Sequence, residues 1–218
     1  MKSFYRQRLP HIQPKGASFF VTFRLFGSIP YTNLKKLMDE YQIKIVKAKS
    51  IKDIKEKNRL LLNLRKSYFN QRNQLLHDIK DGPNFLSNDE IMAKTKEVLH
   101  TFDGELYELI CYCVMSNHVH ILIDTSLQID QDIYIETLEE DYTPLDKIMK
   151  RIKAPIARFA NTHLNKIGQF WERESFDIYI RNERMLDSVI SYILENPVKA
   201  NIVEKWEEYS GNYLKRDY

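Results

Sequence analysis

The stretch that most constrains this chain runs Cys111-Tyr112-Cys113-Val114-Met115-Ser116-Asn117-His118-Val119-His120-Ile121-Leu122-Ile123-Asp124. It reads as a buried strand, a tight polar turn at Ser116-Asn117 and a second strand carrying His-Val-His. Successive side chains in a strand point to opposite faces, so His118 and His120 share one face, about 7 Å apart along the chain. Val119, Ile121 and Ile123 point the other way, into a core. Two imidazoles held side by side on a rigid strand make half of a metal site. Two part-exposed histidines with no task are the plain alternative.

With 218 residues the chain is long enough for one large domain, or one domain with an elaborate insertion. It buries roughly 70% of its unfolded surface on folding and needs neither disulfide nor metal to do so. The opening MKSFYRQRLP lacks the apolar run of a signal peptide, and no run of 18 apolar residues follows. Both facts predict a cytoplasmic protein with no membrane partner. Cys111 and Cys113, two apart on a strand, are not expected to bond to each other. Net charge is +3 but unevenly spread: residues 35–80 hold thirteen Lys/Arg against five Asp/Glu, and residues 81–145 hold two against fourteen. Such segregation suits a protein that meets a polyanion with one surface. A solvated helix face explains a basic run as well, and residues 35–80 fit that explanation better.

Taken in order, a basic arm with Arg6 and Arg8 leads into a first strand at Ala17–Phe26, with Phe19, Val21, Phe23 and Leu25 on one face. Residues 33–80 read as two basic helices broken near Ser50, with Leu60, Leu64, Tyr68, Leu75 and Ile79 on the docked stripe. Ser87, three before Glu90, has capping-box spacing and opens a helix to about Leu99. The second strand spans Leu106–Val114. Residues 124–142 carry seven acids and no base, and form a short hairpin or flap. A helical pattern over 145–167 is kinked or split at Pro155. The last strand and its approach span Gln169–Arg181, and a final helix runs from about Glu183 to Glu195. The tail, with Trp206, Tyr209 and Tyr213, packs back on the body. Strands interspersed with helices predict an α+β sandwich with a mainly antiparallel sheet.

On the last helix, Met185, Val189, Tyr192 and Asn196 fall on one stripe. Periodicity alone makes Tyr192 a border tyrosine with a satisfied hydroxyl, one of 13 tyrosines in the chain.

Four blocks of sequence change that weighting. VMSNHVHILI resembles the VMPNHVHLL of the single-tyrosine HUH transposases, in which U is a hydrophobic residue. Leu9-Pro10-His11 with Phe20-Val21-Thr22-Phe23 resembles their opening. Phe170-Trp171-Glu172-Arg173-Glu174-Ser175-Phe176-Asp177 with Ile180-Arg181 resembles their W-x-x-x-[YS]-F-D…IR block. Tyr192-Ile193-Leu194-Glu195-Asn196-Pro197-Val198-Lys199-Ala200-Asn201-Ile202-Val203 resembles their YI-x-x-NPVKAGLV block. The ordered set is similar to the REP-associated tyrosine transposases, relatives of insertion-sequence-200-like transposases. It covers most of the chain outside residues 31–80 and 124–142. Ser116 and Asn201 depart from the family's usual Pro and Gly.

The resemblance implies one domain over residues 1–218, with a basic helical insertion at about 31–80 and an acidic excursion at about 124–142. It implies a ferredoxin-like sheet with helices on one face, the histidine pair on a central strand and the tyrosine on a helix beside it. It further implies an enzyme of a mobile element that cleaves and rejoins single-stranded DNA at hairpin-associated, REP-like sites. The expected reaction is attack by Tyr192, giving a 5′-phosphotyrosine. His118 and His120 are expected to hold Mg²⁺ or Mn²⁺ as a Lewis acid, with an oxygen ligand from Asn196, or from Glu195 in reserve. DNA contacts are expected from Arg6, Arg8, Arg24, Lys150, Arg151, Lys153, Arg173 and Arg181, with Trp171 as a stacking platform. Tyr192 serves its own chain's histidines or those of a second copy, so a homodimer is allowed, and a DNA-handling protein would be nucleoid-associated. Two alternatives stand beside this: a non-catalytic hairpin-DNA-binding descendant, and a zinc site built from Cys111, Cys113, His118 and His120.

Overall fold

The structure is a computed structural model that describes residues 4–6, 10–79, 81–129, 142–216 and 218. The chain forms two compact units: Met1–Phe26 with Asn84–Tyr218, and Gly27–Pro83.

The larger unit is built on five strands: β3 (Ser18–Arg24), β4 (Glu108–Val114), β5 (His118–Asp124), β6 (Phe176–Tyr179) and β7 (Asn212–Leu214). Before them, β1 (Phe4–Arg6) and β2 (Pro10–Ile12) form a separate antiparallel ribbon. The sheet order is β6-β3-β5-β4-β7 with every pair antiparallel. Without β7 this is the ferredoxin-like order, and the histidine strand is central, as expected. The fold class is α+β.

Register determines which side chains share a face. Thr22 lies opposite His120, Arg24 opposite His118 and Phe20 opposite Leu122. Cys113 also lies opposite His120, with a bulge between Leu109 and Cys111. One face therefore carries Phe20, Thr22, His118 and His120. The other carries Phe19, Val21, Phe23, Val119, Ile121 and Ile123, all buried in the main core. Helices α3 (Asp89–Thr101) and α4 (Leu145–His163) cover that apolar face with Ile91, Val98, Leu99, Ile148, Ile152 and Ile156. Helix α5 (Glu183–Leu194) lies over the histidine face, where the Tyr192 ring meets Phe20 and His120. The short α6 (Asn196–Lys199) follows it, with Pro197 in its first turn, where a missing N–H is harmless.

Several local expectations need correcting. The cap of α3 is Asn88, whose Oδ1 accepts from the backbone N–H groups of Glu90 and Ile91; Ser87 sits in a preceding 3₁₀ turn, Phe85–Ser87. Pro155 neither splits nor ends α4. Proline inside a helix costs about 3 kcal/mol, which the buried stripe Ile148, Ile152, Ile156 and Ala160 outweighs. The last strand is only four residues long; residues 170–172 pair separately with residues 24–26, by Phe26 N–H to Phe170 O and Glu172 N–H to Arg24 O, with the Phe170 and Trp171 side chains buried. The tail does return to the body, and it does so as a strand. Tyr213 of β7 stacks on Tyr112 at 5.2 Å, and the Tyr209 hydroxyl donates to Val114 O at 2.9 Å. Most of the excursion expected at 124–142 lies outside the described residues.

The smaller unit is a helical hairpin of α1 (Tyr31–Lys49) and α2 (Ile54–Asp78). The break falls after α1, near Ser50 as expected, and the Asp53 carboxylate caps α2 by accepting from Glu56 N–H at 2.7 Å. Tyr41 and Tyr68 pack with ring centroids 4.6 Å apart. Leu60, expected on the buried stripe, is exposed; the buried side of α2 is set by Tyr68, Phe69 and Leu76. No described helix is long and apolar enough to cross a membrane.

Ile121 on β5 is fully buried at the centre of the apolar face. Ile121→Ala is expected to lower unfolding free energy by about 2–5 kcal/mol, measured by urea denaturation, through lost burial and a residual cavity.

Candidate active site

The hairpin between β4 and β5 is closed by a backbone hydrogen bond from Met115 N–H to His118 O, so the turn delivers His118 at the first position of β5. Both imidazoles are buried, with 1% or less of their surface exposed. Their Nε2 atoms approach to 3.1 Å, with the rings 4.6 Å apart and tilted at 75°.

The other ring nitrogens explain this geometry. His118 Nδ1 lies 2.6 Å from Asn117 Oδ1 and His120 Nδ1 lies 2.7 Å from Thr22 Oγ1. An amide oxygen only accepts, so His118 Nδ1 carries a proton, and in the neutral ring its Nε2 presents a bare lone pair. Thr22 either donates to or accepts from His120. When it donates, His120 Nε2–H can bridge to His118. When it accepts and both rings are neutral, both Nε2 atoms are bare and face each other, and a shared proton or a metal cation relieves the repulsion. Two donors at right angles on an ion with bonds of about 2.1 Å stand about 3.0 Å apart, close to the spacing here. Outer hydrogen bonds of this type orient metal-binding histidines. The pair therefore fits two adjacent positions of a divalent ion.

It does not extend to zinc held by four side chains. Among the described residues, no group of three or more His, Cys, Asp or Glu side chains is arranged to hold a metal. Cys111 and Cys113 share the histidine face by register but are buried, and burial pushes both thiols far above their ordinary range, against the thiolate that zinc needs. Among the described residues the zinc alternative thus has no assembled set of three or more ligands.

Tyr192 is brought to the same place within one chain. Its ring lies edge-on to His120 at 5.4 Å and to Phe20 at 5.8 Å. Lys199 Nζ sits 5.1 Å from the ring centroid, a cation against the π face. Asn196 is buried, and its Nδ2 donates to Tyr192 O at 2.6 Å and to Ile193 O at 3.4 Å. Among the described residues Asn196 makes no hydrogen bond to either histidine; its amide nitrogen secures the end of the helix that presents Tyr192.

The expected DNA contacts separate. Arg24 is 1% exposed, and its Nη2 donates to Glu172 Oε2 at 3.1 Å, so it is an interior ion pair and not a surface contact. Trp171 is no stacking platform: it packs edge-on against Phe23 at 4.9 Å, and its Nε1–H donates to Lys153 O. Lys153 Nζ donates to the carbonyls of Glu172 and Arg173. Lys150 and Arg173 are exposed and, with Lys153, line a cavity of about 560 Å³ between α4 and residues 168–177. Arg151 turns away, over the Phe102 ring at 5.9 Å, and Arg181 lies over Tyr179 at 5.0 Å. Arg6 falls in β1 by its backbone, while its side chain and the whole of Arg8 lie outside the described residues.

Sequence reasoning assigned no role to Thr22, Asn117 or Lys199. Thr22 was detectable as the polar residue interrupting an aromatic strand. Lys199, seven residues after Tyr192, stands two turns further along.

No family model and no curated protein matches the chain. Among solved structures it is similar to one described as a REP-associated tyrosine transposase bound to a REP hairpin. Identity is 16%, the TM-score is 0.42, and the match covers 97% of this chain and 82% of that one. A likeness of that size assigns no role to any residue, so the site rests on its own geometry.

Burial lowers the Lys153 amine from an ordinary 10.5 to about 8; Glu172 opposes the shift and Arg24 adds to it. The folded state thus binds fewer protons than the unfolded chain between those values. The penalty for holding the charged amine is complete below about pH 8 and vanishes as pH rises towards 10.5. Wild-type stability relative to Lys153→Met is therefore expected to climb across that window, measured by urea denaturation at stepped pH. A flat difference would contradict it.

Proposed function

We propose that the chain is a metal-dependent, single-tyrosine nuclease and strand-transfer enzyme. Its substrate is single-stranded or hairpin DNA at REP-like sites, and the class is the transposases that its four sequence blocks resemble. The observation that carries this reading is the convergence of two Nε2 atoms 3.1 Å apart with the ring of Tyr192, 5.4 Å from His120, on one chain.

His118 and His120 would hold Mg²⁺ or Mn²⁺, with Asn196, just past the end of the tyrosine's helix, as the candidate for an oxygen ligand. When bound, the ion offsets charge on the phosphate and the departing oxygen. A phenol is a weak nucleophile at neutral pH, so placement matters. Phe20 and His120 fix the Tyr192 ring from its edges, and Lys199 sets a positive charge beside it. The Tyr192 oxygen attacks phosphorus and the P–O3′ bond breaks. The phenol proton passes to water, and the 3′ oxygen leaves as a hydroxyl with a proton from water. The 5′-phosphotyrosine keeps the bond energy, and attack by another 3′-hydroxyl reverses the step without ATP. Lys150 and Arg173 are placed to meet phosphates of the incoming strand.

The test is covalent capture of 3′-end-labelled, single-stranded hairpin oligonucleotides in Mn²⁺. Wild type is expected to form a denaturant-resistant adduct. Tyr192→Phe should lose it by at least about a hundredfold while binding the oligonucleotide normally, and His118→Ala and His120→Ala should each lose it. Adduct formation by Tyr192→Phe, or at an unchanged rate in EDTA, would discard the proposal. Binding without any adduct in wild type would favour a non-catalytic hairpin-binding protein.

A further inference from the structure

The unit Gly27–Pro83 holds thirteen Lys/Arg against six Asp/Glu, a balance of +7, while the rest of the chain holds twenty against twenty-four, a balance of −4. All the excess positive charge of the protein thus resides in the unit that holds the helical hairpin. Lys55, Arg59 and Lys66 of α2 fall on one stripe, at steps of four and seven, and all three are exposed. Glu56 stands three residues before Arg59, a spacing that permits an ion pair. Yet among the described residues none of the three cations makes an ion pair or a side-chain hydrogen bond.

We propose that the hairpin is a second nucleic-acid surface, one that grips the phosphate backbone of a duplex through Lys55, Arg59 and Lys66. The stripe is about 16 Å long at 1.5 Å per residue, enough for about three phosphates. A duplex suits it better than an unpaired strand, because single-strand binding relies on exposed aromatic rings. Here Tyr41, Tyr68 and Phe69 are buried, and the exposed Tyr31 stands at the start of α1, not on the α2 stripe. An anionic membrane suits it less. Surface helices of that kind present one continuous apolar face. The exposed Ile43 and Val46 of α1 and Ile54, Leu60 and Leu62 of α2 are interspersed with the exposed charges of Asp39, Lys44, Lys47 and Glu56.

The surface is independent of the tyrosine chemistry, and so is its test. Binding of the full-length protein to a blunt 20-base-pair duplex is followed by fluorescence anisotropy from 50 to 200 mM salt. Such a duplex offers Tyr192 no unpaired strand, so the result stands whatever the capture assay returns. Lys55→Gln/Arg59→Gln/Lys66→Gln is expected to weaken binding at least about tenfold and to flatten the log Kd against log salt slope by about 2–3, near 0.9 per lost phosphate contact. Lys94→Gln/Lys96→Gln/Lys166→Gln, in the other unit, should stay within about twofold. Arg59→Gln alone should flatten the slope by about one, which keeps the test decisive if the triple variant loses helicity by circular dichroism. Equal losses in both triple variants would overturn the proposal, as would an unchanged hairpin variant. So would binding to phosphatidylserine vesicles that depends on the three residues while duplex binding does not.

Discussion

Two buried imidazole nitrogens 3.1 Å apart need a proton or a cation between them, and the strands around them are arranged to hold them at that spacing. Asn117 commits His118 to a bare Nε2, and Thr22 decides whether a proton or a cation closes the gap to His120. Neither partner is free to move: Asn117 belongs to the turn that starts β5, and Thr22 lies opposite His120 in the β3–β5 register. A one-residue slip of that register would send every side chain of the strand to the wrong face. The deep apolar packing of Phe19, Val21, Phe23, Val119, Ile121 and Ile123 on the back of the sheet prevents it. The site's precision is thus a consequence of the core behind it.

The front of the sheet is expensive by comparison. Thr22, Arg24, His118, His120 and Asn196 are buried polar groups, each stable only through its partners. Arg24 reaches Glu172, whose carbonyl also receives Lys153 across from α4. The cavity beside them is lined by residues of 168–177, a segment that includes the block 170–177 of the resemblance. That segment therefore serves the interior as much as the surface. This is why Trp171 and Arg24, which look like nucleic-acid contacts in the sequence, turn out to hold the body together.

Period-two alternation was strong enough to place β3, β4 and β5 and to put the histidines on a face of their own. The 3.6-residue stripe did the same for α4 and α5, so Tyr192 could be placed on a helix before its neighbour was known. What stayed hidden was set by tertiary contacts. β7 is three residues long, too short for any period, and exists because Tyr213 stacks on Tyr112. Pro155 reads as a breaker, but the stripe around it is buried on every turn. Burial also separated Arg24 from Arg173, two arginines no local pattern distinguishes. Asn196 sits on the expected stripe, yet its amide nitrogen is used by carbonyls at the end of the preceding helix α5, which spacing could not reveal.

The central claim, that one cation sits between His118 and His120, is tested most directly by pulsed electron-spin resonance of the Mn²⁺-loaded protein. The account predicts couplings from two imidazole nitrogens, falling to one in His118→Ala and to one in His120→Ala. A Mn²⁺ signal with no nitrogen coupling, or one unchanged by both substitutions, would contradict it.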